Sequence, residues 1–135
     1  MFVYAVTKMI AYVLWCWLGI YLMVNKKPTV SSAVGLGALR WLVGLFFGVI
    51  VFFSFHQDSR ESAAAAYFVI YTPLRILEWG IILFITYSWL GDKPRSISVP
   101  RAVLWISGGI LVSFLSDLVS PEGLAGRFCV GRCLC

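Results

Sequence analysis

AAAAYFVIYTPLRILEWGIILFITYSWL, residues 63–90, is the stretch whose reading decides the fold. It holds two charged residues, Arg75 and Glu78, in an otherwise almost wholly apolar and aromatic run. A helix rises about 1.5 Å per residue, so about 20 such residues cross the roughly 30 Å hydrocarbon core of a bilayer. A helix apolar on all sides needs an apolar solvent on all sides, and lipid is that solvent.

Three further stretches meet the same criterion: Phe2–Val24, Ser32–Phe55 and Val99–Val119. The sequence therefore predicts an all-α membrane protein, an up-down bundle of four transmembrane helices within residues 1–120, followed by a cysteine-containing tail, 121–135. Short polar gaps separate the runs and make neighbouring helices antiparallel. Pro28 and Pro94 end helices 1 and 3, Thr29 or Ser31 can cap helix 2, and Pro100 sits where a helix start tolerates proline.

Composition agrees. The chain is 61% hydrophobic and 13% charged, with a mean hydropathy of +0.90. That is too apolar for one buried core in 135 residues. The formal net charge of +5 does not form a nucleic-acid surface, because the basic residues sit in short clusters between the apolar runs. The first run has neither a basic segment before it nor a small-residue cleavage site after it, so it reads as a retained span rather than a signal peptide.

Lys26, Lys27, Lys93, Arg95 and Arg101 flank the first and third gaps, whereas the middle gap carries only Arg60. The positive-inside rule then puts the first and third loops in the cytoplasm and both termini outside. Arg127 and Arg132 in the tail pull weakly the other way. A multi-pass protein of the cell membrane or an inner membrane is the expectation.

Ionisable groups inside a span cost about 2.5–3.5 kcal/mol each on insertion scales, so each asks for a partner. Lys8, Arg40, Arg75 and Glu78 are such groups. Arg75 and Glu78 are three apart and share a face with Tyr67, Tyr71 and Thr86. By helical rise, Arg40 and Glu78 lie roughly 12 and 18 Å from the cytoplasmic end, about one turn apart. Glu78 is therefore expected between the guanidinium groups of Arg40 and Arg75. The cluster Arg40, Tyr71, Arg75 and Glu78 reads first as a structural lock on helix register, and alternatively as a binding or translocation site. Pro73 is expected to kink the third span beside it.

Gly37, Gly44 and Gly48 fall on the same face of the second span as Arg40, a small-residue surface suited to helix packing. Trp15 and Trp17, mid-span, are expected to pack between helices. Cys16 reads as a small apolar filler. Cys129, Cys133 and Cys135 have neither of the usual paired zinc spacings; a disulfide or lipidation is the chemistry open to them. No metal site and no cofactor are expected. His56 reads as a polar turn residue.

No nucleophile–base set, paired carboxylates or phosphate loop stands out, so catalysis is not expected. The reading favours a small polytopic protein acting non-enzymatically through helix contacts with a membrane partner, as an accessory or immunity-type protein, or with copies of itself. The alternative is a small oligomeric transporter or channel that uses the Arg/Glu cluster. The lipid bilayer is the expected surrounding, and nucleic acid is not an expected partner.

Overall fold

The computed structural model describes residues 2–24, 27–55, 64–90 and 98–120. They form four helices, α1 (Phe2–Val24), α2 (Val30–Phe55), α3 (Ala64–Leu90) and α4 (Val99–Leu118). Each is long and apolar enough to cross a membrane. The helix α2 starts two residues before the expected Ser32, because Thr29 serves as its cap. The Ser32 amide donates to Thr29 Oγ1 at 3.4 Å, and the Ala33 amide donates to the Thr29 carbonyl at 3.1 Å. At the other end of the chain α4 stops at Leu118, and the amides of Val119 and Ser120 close the turn on the carbonyls of Ser116 and Asp117.

The helices pack in a ring, α1 against α2 and α4, and α3 against α4 and α2; across the diagonals α1 barely meets α3. The closest approaches are made by glycines that receive aromatic rings. A Cβ on Gly19 would lie 2.1 Å from Trp105 Nε1, one on Gly108 2.3 Å from the Trp15 ring, and one on Gly109 2.5 Å from the Trp79 ring. Trp15 and Trp105 thus interlock α1 with α4 in both directions, and the Trp15 indole donates to the Trp105 carbonyl at 3.2 Å. Tyr12, Cys16, Ile20, Leu36, Trp79 and Ile82 fill the core around them.

Trp17 departs from expectation. It is 45% exposed and points outward, because two helical residues lie about 200° apart and cannot share a face with Trp15. Proline 73 lies within the unbroken α3, on its exposed side. No more than 33% of the most apolar stretch of any span is buried within the bundle. The outward faces carry Leu14, Leu42, Phe46, Phe53, Val69 and Phe84, which is the surface a lipid environment requires.

Candidate functional site

A polar network runs through the bundle and ties all four helices together. Its inner part joins α2, α3 and α4. Arg40 Nη2 donates to Glu78 Oε2 at 2.5 Å and lies 3.5 Å from Ser113 Oγ. Ser113 Oγ accepts from the Trp79 indole at 3.1 Å and donates to the Gly109 carbonyl at 2.9 Å. The Arg40 guanidinium also rests against the rings of Tyr12 and Trp79, 4.8 and 5.0 Å from their centroids. Two rings and a carboxylate replace the water an arginine would otherwise keep.

The outer part centres on Asp117. One carboxylate oxygen, Oδ1, accepts from Lys8 Nζ at 2.6 Å and from the Tyr4 hydroxyl at 2.8 Å. The other, Oδ2, accepts from the Tyr67 hydroxyl at 2.7 Å and pairs with Arg75 Nη2. Arg75 is stacked on Phe114, 4.5 Å from its centroid, and lies 6.0 Å from that of Tyr71. Four donors on one carboxylate saturate its lone pairs, which is how a buried charge is tolerated.

This arrangement corrects the expected placement of Glu78 between two guanidinium groups. Among the described residues Glu78 pairs with Arg40 alone; Arg75 turns to Asp117 on α4. Asp117 was missed because it falls within three residues of the end of the last apolar run and reads as a boundary residue. One signal was available. A carboxylate in the last helical turn opposes the helix dipole, so an acid held there has another reason to be present. Lys8, seen in the sequence without a partner, finds it in Asp117, 109 residues away.

The glycine face of α2 does two different things. Gly37 packs against α1, where its Cβ would lie 2.6 Å from Val13 Cγ2. At Gly44 a Cβ would lie 2.9 Å from Arg40 Nη1 and 3.9 Å from Glu78 Oε1 on α3. Gly44 and Gly48 line a small cleft of about 40 Å³ between α1, α2 and α3, with Lys8, Arg40, Arg75 and Glu78 on its walls. Tyr71 also faces it.

Cys16 is a free, buried thiol in the core. Cys129, Cys133, Cys135 and His56 lie outside the described residues. Among the described residues no three His, Cys, Asp or Glu side chains come together as a metal site. Fold and network together define a small multi-pass membrane protein of four apolar helices around a buried ionic core. No family model matches the chain, nor does any curated protein or solved structure.

Proposed function

We propose that this protein works without covalent chemistry, as a compact membrane unit whose outer helix faces contact another membrane protein or a second copy of itself. The observation that carries the reading is Gly80. Glycines at the helix seams receive side chains from neighbouring helices, yet among the described residues a Cβ on Gly80 would meet no other helix within 4 Å, as at Gly35. A glycine costs helix stability of up to about 1 kcal/mol relative to alanine. On a lipid-facing helix it gives a partner helix a place to approach closely. Ile76 and Phe84, one turn to either side, are 48% and 71% exposed and supply the apolar contact.

Gly80→Leu tests the reading. It fills space that the bundle itself does not use, so thermal unfolding in detergent should be unchanged. Assembly, read as the mass of the gently solubilised complex, should be lost. A complex of undiminished size in Gly80→Leu rejects the reading.

A second reading, a small oligomeric transporter or channel, is favoured by the cleft beside Arg40 and Arg75. Guanidinium groups lining a path select for anions. Anion flux into vesicles reconstituted with the purified protein distinguishes it from the first.

A further inference from the structure

We infer that the cleft between α1, α2 and α3 is a binding site for one small monovalent anion, held on the unpartnered Nη1 of Arg40. The site stands apart from the outer-face contacts just described, and neither depends on the other.

Charge is the first argument. Among the described residues the network joins three cations, Lys8, Arg40 and Arg75, to two carboxylates, Glu78 and Asp117, which leaves one positive charge uncompensated there. Arginine does not give up its proton, and Lys8 is ion-paired through Nζ to Asp117 at 2.6 Å. An excess charge in the hydrocarbon region is costly, and one bound monoanion removes it.

Geometry is the second. Arg40 is 1% exposed, yet among the described residues its Nη1 and Nε have no hydrogen-bond partner; Arg75 Nε has none either. An unmade hydrogen bond at a buried charged group costs more than at a neutral one, where the penalty is about 1–3 kcal/mol. Glu78 and Ser113 lie at Nη2, and Tyr12 and Trp79 cover the guanidinium from within the bundle. Nη1 is left beside Gly44, where the missing side chain opens the cleft. Nη1 keeps its N–H donors for an anion seated there.

Size is the third. Room of about 40 Å³ takes up to about three waters, since one needs roughly 10–15 Å³ by the same measure. A halide, nitrate or formate ion fits in their place.

The experiment measures thermal unfolding of the full chain in an uncharged detergent, at constant ionic strength, while gluconate is exchanged for chloride or nitrate. The midpoint should rise saturably with the small anions, and gluconate should not replace them. Gly44→Leu fills the cleft and Lys8→Met removes the excess charge while leaving each arginine its carboxylate. Each should weaken half-saturation at least tenfold. Three results overturn the inference: midpoints equal in all three salts, a rise kept at parental half-saturation in either folded variant, or a response only to added anionic phospholipid. The last would assign the cleft to a lipid headgroup. The salt exchange on the parent decides the question by itself if neither variant folds.

Discussion

Arg75 and Asp117 face each other across the α3–α4 seam as a buried ion pair, 3% and 6% exposed. The same carboxylate serves Lys8 from α1, so a single acid holds two cations and three helices. Among the described residues Glu78, by contrast, serves Arg40 alone.

Removing the acid should therefore cost more at Asp117 than at Glu78. Breaking one side of a buried pair typically costs about 3–5 kcal/mol. Asp117→Asn should lie at or above the top of that range, because it strands two cations and weakens the acceptor for Tyr4 and Tyr67. Glu78→Gln should fall within it. Unfolding free energies in detergent check the order, and an Asp117→Asn protein as stable as the parent refutes it.

Charge exchange should respect the pairing across helices. Arg75→Glu with Glu78→Arg keeps both charges on one face of α3, but it sets a second carboxylate against Asp117 and a second guanidinium against Arg40. That double variant should be no more stable than the worse single one. Arg40→Glu with Glu78→Arg exchanges true partners and should recover part of the loss, a favourable coupling in a double-mutant cycle. Equal recovery in both doubles would mean the pairs are interchangeable.

Glycines in the bundle should differ sharply in their tolerance of a methyl group. Gly109→Ala presses a Cβ onto the fully buried Trp79 ring at 2.5 Å. Overpacking of this kind costs about 1–3 kcal/mol. Gly35 has nothing within 4 Å, so Gly35→Ala should be neutral or gain up to about 1 kcal/mol from helix propensity. Melting curves of the two variants decide the matter, and equal shifts would contradict it.

The orientation proposed from the loop charges is open to thiol labelling in sealed vesicles. A cysteine at position 59 should react only from outside, and one at position 96 only from the cytoplasm. The reversed pattern inverts the topology while leaving the bundle intact.

The four spans were legible in the sequence because apolarity over about 20 residues is the strongest signal a chain can carry. Depth counting also placed Arg40 and Glu78 within reach, since helical rise converts residue numbers directly into height. It said nothing of azimuth, and azimuth is what sends Arg75 to α4 rather than to its own helix neighbour. Asp117 was hidden by its place at a span end. The glycine–tryptophan contacts were hidden for a related reason. Gly108 and Trp15 acquire meaning only as a pair, and 93 residues of chain separate them. Motif reading on one helix finds Gly44 and Gly48, whose spacing suggests packing, while the structure sets Gly44 beside the arginine side chain.

The position of Asp117 in the fourth span also has a bearing on how the protein is made. Synthesis proceeds from the N terminus, so Lys8 and Arg75 enter the membrane before their common counter-ion has left the ribosome. Until α4 arrives, the nascent three-helix intermediate holds two intramembrane cations without a carboxylate, and only the Arg40–Glu78 pair is complete. Such an intermediate is costly to leave in lipid. Arrival of the fourth helix is therefore the step that completes this ionic network. Chains cut short before Asp117 should stay with the insertion machinery or be degraded, whereas those that include it should be released.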